Sequence, residues 1–122
     1  MAWIFENTLP IYYQIADVLR SRIFGGEYPS GSRMPSVRDV ALETATNPNT
    51  VVRAFSVLEE EGLIAARRTL GYFVTEDDES VSHAKTEKAM QMTNEYRERM
   101  ETLGFRVEDM IRFLSDENKE DS

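Results

Sequence analysis

The stretch Met34-Pro35-Ser36-Val37-Arg38-Asp39-Val40-Ala41, continued by Asn47-Pro48-Asn49-Thr50-Val51 and closed by Leu58-Glu59-Glu60-Glu61-Gly62-Leu63-Ile64, decides the fold. Ser36 sits just before an amphipathic run whose apolar set is Val37, Val40 and Ala41, with Leu42 at its edge. A serine there can cap a helix, its side-chain oxygen accepting an N–H from the first turn. After Thr44-Ala45-Thr46, Asn47 reads as a second cap and Pro48 as the first helical residue, where a missing N–H costs nothing. The helix that follows runs from Asn49 to about Glu61, buries Val51, Ala54, Phe55 and Leu58, and ends at Gly62. Two short helices joined by a tight turn leave the second standing proud of the surface. Its diameter fits a DNA major groove, about 12 Å wide.

Upstream, Pro10 opens a first helix with Tyr12, Ile15, Val18, Leu19 and Ile23 at helical spacing, stopped by Gly25-Gly26. The loop from Glu27 to Ser32 is rich in turn formers. Downstream, Leu63-Ile64-Ala65-Ala66 and Tyr72-Phe73-Val74 flank the turn Arg67-Arg68-Thr69-Leu70-Gly71. A hairpin that small is unstable alone and must pack on the helices, as a wing does. The four carboxylates Glu76-Asp77-Asp78-Glu79 read as an exposed hinge. Beyond them a long helix from about Val81 to Leu103 carries Ala89, Met92, Tyr96, Met100 and Leu103 at a spacing close to 3.5. Gly104 ends it, Phe105 can fold back, and a short helix from Val107 to Leu114 holds Met110, Ile111, Phe113 and Leu114. The fold class expected is mainly α with a small β-hairpin: a winged helix-turn-helix followed by a two-helix C-terminal dimerisation tail. The expected spans are 1–75 for the winged domain, 76–80 for the hinge, 81–116 for the tail and 117–122 for a frayed terminus.

In order and spacing, these elements resemble the GntR family of transcriptional regulators over about residues 9–74. The opening Pro10-Ile11-Tyr12-Tyr13-Gln14-Ile15 and the Asn47-Pro48-Asn49-Thr50 element are similar to its short YtrA-like branch, which has a brief helical tail in place of a large effector domain. The resemblance implies DNA binding, with Arg38, in the Pro-Ser-x-Arg element, contacting the duplex. It also implies repression, and control of a transporter operon as in other YtrA-like regulators. Two positions depart from the pattern. Ala45 stands at the glycine of the usual Leu-Gly-Val turn, at a cost on the order of 1 kcal/mol if that residue must be left-handed. Thr69 replaces the first glycine of the wing's Gly-x-Gly while Gly71 keeps the second, so the turn should differ or be strained.

The candidate DNA-binding residues are Ser36, Arg38, Asn49, Thr50, Arg53, Arg67, Arg68 and Gly71. Asn49 and Thr50 offer short polar groups from the first turn of the recognition helix, where free N–H groups would also attract phosphate. Arg53 can reach a phosphate, or else pair with Glu60 along the helix. Arg38 can instead form a surface ion pair, and Ser36 can serve as cap, as phosphate ligand, or as both. Arg67 and Arg68 at the wing tip suit a narrow minor groove, where negative potential is enhanced. All four arginines are expected on one face. For the dimer interface the candidates are Ala89, Met92, Tyr96, Met100, Leu103, Phe105, Ile111 and Leu114, a stripe that a small monomer could hardly cover. The alternative is that the stripe packs back on the first helix.

Composition bounds the function. The 122 residues allow one compact domain with an appendage, and 41% hydrophobic content suffices for a core. The net charge of −8 is uneven: residues 1–74 hold 7 Lys+Arg against 8 Asp+Glu, residues 75–122 hold 7 against 14. Duplex DNA feels the local field within a Debye length, about 8 Å at physiological salt, so an acidic tail can coexist with a DNA-binding front. Cysteine is absent, which excludes disulfides and thiolate metal sites. No apolar run spans a bilayer and the start does not look like a signal peptide, so a cytoplasmic protein is expected. The one histidine, His83, lies in a polar stretch, and no phosphate loop, metal-ligand set or nucleophile–base pair appears. The carboxylate run does not match an EF-hand spacing. The expectation is therefore no enzyme, no cofactor and no metal. The partners expected are a palindromic DNA operator and a second copy of the chain, with any effector unassigned. The 48 residues from Thr75 cannot enclose a pocket of about 300 Å³ without a partner chain. The rival is a winged helix that binds protein instead, and a steep loss of binding with salt would distinguish the DNA reader.

Overall fold

The computed structural model describes residues 3–115; the terminus expected at 117–122 lies outside them. The elements in chain order are α1 (Ile11–Phe24), α2 (Val37–Thr44), α3 (Pro48–Glu60), β1 (Ile64–Arg67), β2 (Gly71–Val74), α4 (Asp78–Thr102) and α5 (Val107–Ser115). The chain divides into two compact units, residues 1–84 and 85–122, with the boundary inside α4. The class expected from the sequence, mostly helical with one antiparallel hairpin, is the class observed.

In the first unit α3 packs against both α1 and α2. Phe55, Ile15, Leu19, Leu58, Leu63, Val40 and Val51 are fully buried. Burying such side chains stabilises by about 1.5–3 kcal/mol each, so apolar packing dominates what holds the three helices together. The α3 set is the one its spacing predicts, Val51, Ala54, Phe55 and Leu58. On α1 the spacing is only part of the story: Ala16 and Arg20 are buried as well, while Tyr12 and Val18 are half-buried. Arg20 is buried because its guanidinium forks onto Glu61 at the end of α3, at 2.9 and 2.7 Å, and reaches Asp17 at 2.9 Å. Those acceptors hold the guanidinium more firmly protonated than usual, the Glu61 hydrogen bond contributing most.

Both predicted caps are present. Ser36 Oγ accepts the Asp39 N–H at 3.0 Å, and Asn47 Oδ1 accepts the Asn49 N–H at 2.7 Å. Between the two helices Ala45 is left-handed, at φ 55° and ψ 42°. Thr44 Oγ1 braces that corner, lying 2.8 Å from the Val40 carbonyl and 2.7 Å from Thr46 Oγ1. The left-handed region costs an L-residue with a Cβ about 1–2 kcal/mol, part of which glycine gives back as lost chain entropy. Ala45→Gly is therefore expected to stabilise the domain by about 0.5–1 kcal/mol, read as a higher urea midpoint at unchanged slope. An unchanged or lower midpoint would show that the corner carries no strain.

β1 and β2 pair antiparallel, Ile64 opposite Val74, Ala65 opposite Phe73, Ala66 opposite Tyr72 and Arg67 opposite Gly71. The loop reading of residues 27–32 needs extending, because the segment that follows joins the wing. Gly31 and Met34 donate to the Val74 and Tyr72 carbonyls, Val74 donates to Ser32, and Arg33 bridges Phe73. Tyr72 meets Phe55 edge-on at 4.8 Å between centroids, tying the wing to α3.

The acidic stretch 76–79 is exposed, and a helix starts within it. Asp77 accepts the Glu79 and Ser80 N–H groups and the Ser80 hydroxyl, so α4 starts at Asp78. The same bonds, Ser80's first, hold the Asp77 carboxyl below its ordinary range. Val81 and Ala84, on the first turns of α4, pack against the core of the first unit.

Candidate nucleic-acid interface

The recognition helix α3 begins at a capped end. Pro48 has no N–H, Asn49's goes to Asn47 Oδ1, and Thr50's goes to the Asn47 carbonyl at 2.9 Å. The expectation of free N–H groups at this helix start is thus corrected: the cap has used them. What remains for a ligand is the dipole of α3 and the side chains of Asn49, exposed, and Thr50, half-exposed. Ser36 uses its oxygen lone pair as a cap, and its hydroxyl proton is still available to donate.

All seven cations of residues 1–74 are arginines, and they fall into two groups. Arg20 is ion-paired, and Arg22 donates to Tyr28 Oη at 2.9 Å, lies 4.0 Å from Glu27 and stacks on Trp3. Arg33, Arg38, Arg53, Arg67 and Arg68 are exposed and make no ion pair among the described residues. An exposed cation without a carboxylate neighbour keeps its full field for an outside anion. The alternatives of a surface pair for Arg38 and a helical pair for Arg53 are therefore not realised. Instead Arg53 lies 4.0 Å over the Tyr12 ring and Arg67 lies 4.2 Å over Phe73. A guanidinium held on an aromatic face is partly ordered before any ligand arrives.

At the wing tip the turn closes with Leu70 donating to the Arg67 carbonyl, and Thr69 sits at φ +60°. The backbone keeps the conformation that the missing glycine would have favoured, and the β-branched residue carries the strain. Gly71 follows at φ +109°. A Cβ there would lie 3.4 Å from Arg33 Nε, so this bare backbone is where the Arg33 side chain rests. Nothing in the spacing of the chain marks Arg33; only its β-bridge brings it to the wing.

In the second unit Phe105 and Phe113 meet edge-on at 5.3 Å, and Met110 is buried. Of the residues predicted for a dimer interface, Tyr96 and Met100 are half-buried, while Ala89 and Phe105 are exposed. Met92, Leu103, Ile111 and Leu114 are more than half exposed. No residue of α4 is buried.

The family described as bacterial regulatory proteins, gntR family, matches residues 11–74, which run from α1 through the wing. The chain belongs to the GntR family. It is 36% identical over 107 residues to the HTH-type transcriptional regulator YhcF of Bacillus subtilis, an alignment spanning 88% of each chain. The HTH-type transcriptional repressor YtrA of the same organism is 37% identical over 72 residues, 59% of this chain and 55% of YtrA. Among solved structures, a GntR family transcriptional regulator from Listeria monocytogenes superposes with a TM-score of 0.86 at 32% identity, covering 92% of this chain and 98% of that one. The winged helix-turn-helix is accordingly that of a GntR DNA-binding transcriptional regulator similar to YtrA. All three of these relatives are transcriptional regulators. Among the described residues no helix is long and apolar enough to cross a membrane.

Proposed function

We propose that this chain is a homodimeric repressor that binds a palindromic operator through the winged helix-turn-helix and acts in the cytoplasm. The observation that carries the DNA contact is the set of five exposed arginines without ion pairs on residues 33–68. Arg38 and Ser36 approach from the start of α2, Asn49, Thr50 and Arg53 from α3, and Arg67, Arg68 and Gly71 from the wing. Dimerisation is supported by the uncovered Met92, Leu103, Ile111 and Leu114, with Ala89, Tyr96, Met100 and Phe105 completing the surface. A second copy would bury them and would set two recognition helices about 34 Å apart, one turn of DNA. Repression accords with the YtrA relative, and a transporter operon is the target that the YtrA-like resemblance suggests.

The test is selection from a random duplex library followed by affinities at two salt concentrations. An inverted repeat with half-sites one turn apart, and binding that falls steeply with salt, is expected. No enrichment at low salt would overturn the operator reading and favour a protein-binding winged helix. For the dimer, Met92→Glu combined with Met100→Glu is expected to give monomers in sedimentation and to weaken operator binding by the loss of one half-site. A dimer of unchanged strength would remove these residues from the interface.

A further inference from the structure

The wing has an outer face, and its register fixes which residues share it. In an antiparallel ladder opposed residues project to the same side, and so do residues two apart in one strand. Ile64, Tyr72 and Val74 belong to the side packed into or against the core. Ala65, Arg67, Gly71 and Phe73 therefore share the other side, and the bridge between Arg33 and Phe73 adds Arg33 to it. The Met34 N–H bonds the Tyr72 carbonyl at 2.7 Å and the Val74 N–H bonds the Ser32 carbonyl at 2.8 Å, one on each side of that bridge. Arg33 and Phe73 are thus a non-hydrogen-bonded pair, the kind whose side chains lie closest. Arg67 covers the Phe73 ring at 4.2 Å, while Arg33 lies against the bare backbone of Gly71.

Two guanidinium groups from strands on opposite sides of β2 consequently occupy one small surface. Neither has a carboxylate partner among the described residues. Like charges placed together repel unless an anion comes between them, and a planar guanidinium matches phosphate oxygens with two parallel bonds. We propose that Arg33 and Arg67 form a clamp for one phosphodiester of the duplex, with Arg33 a further DNA-contacting residue outside the helix-turn-helix. The Arg33 side chain lies in van der Waals reach of Gly71, on the strand position opposite Arg67. A phosphate contact fixes the position of the protein on DNA and carries no base preference of its own. The inference rests on the DNA-binding function proposed above and names one more group that performs it.

The experiment uses the full chain and a 30-bp duplex, about three turns, taken from the wild-type selection, titrated between about 50 and 200 mM salt. Arg33→Ala is expected to weaken binding about 10-fold with unchanged sequence preference. The slope of log affinity against log salt should flatten by about 0.9 per bound chain. Arg33→Lys should recover the slope but only part of the affinity, since it restores the charge without the fork. Arg33→Gln keeps a polar stem at the wing edge and separates charge from folding. If Arg33→Gln binds within twofold of wild type at an unchanged slope, the clamp is wrong although the chain still binds DNA. If the wild type binds no selected duplex in a salt-dependent way, the DNA reading itself fails and the clamp with it.

Discussion

Phe55→Ala is expected to cost the winged domain about 4 kcal/mol and to lower its Tm by about 15–30 °C. Phe55 is the largest fully buried side chain, with no exposed surface at all. It sits on the element that meets α1, α2 and β1, and its ring meets Tyr72 of the wing edge-on. Truncation would remove the apolar transfer energy, open a cavity and release the wing from α3. A unit of this size has about 4–12 kcal/mol of stability at about 0.05–0.15 kcal/mol per residue, so the loss takes from about a third to all of it. Urea unfolding followed by circular dichroism would measure it. A destabilisation below about 2 kcal/mol would mean that the neighbours collapse into the space and that the junction is softer than the contacts imply.

Arg38→Ala should do the opposite, leaving stability alone and removing operator affinity. Arg38 is exposed at the start of α2 and makes no ion pair among the described residues, so its loss exposes no buried charge. A charge-assisted bond to phosphate contributes about 1.5–3 kcal/mol, or roughly 10- to 150-fold in affinity per chain, and a dimer loses it twice. Fluorescence anisotropy on the selected duplex, beside a thermal melt, separates the two effects. Wild-type affinity in a folded Arg38→Ala protein would take this arginine off the DNA.

Local chemistry made a large part of this architecture readable. A cap needs only its own residue and the next three, so Ser36 and Asn47-Pro48 announced α2 and α3. The buried face of α3 followed from its spacing alone. At Ala45 and Thr69, residues in the places of two glycines predicted strain, and both have positive φ. Contacts between distant segments left no such trace. Arg20 and Glu61 are 41 residues apart, and the burial of Arg20 follows from that pair, not from any helical period. Arg33 drew no reading from the sequence because its partner, Phe73, lies in a strand much later in the chain. A helical ion pair stays an alternative for Arg53 until Tyr12 is seen beneath it. The early start of α4 was hidden for another reason: Asp77 is one of four adjacent carboxylates, and only geometry reveals which one caps.

The five arginines without ion pairs also bear on how such a face could be regulated. A guanidinium stays protonated up to about pH 12, and residues 1–74 contain neither lysine nor histidine. No imidazole is present there to gain a charge, and no ε-amine for acetylation to neutralise. In the proposed dimer, control over DNA binding would then act on the placement of a constant charge: the spacing of the wings, the tilt of the recognition helices, or access to both.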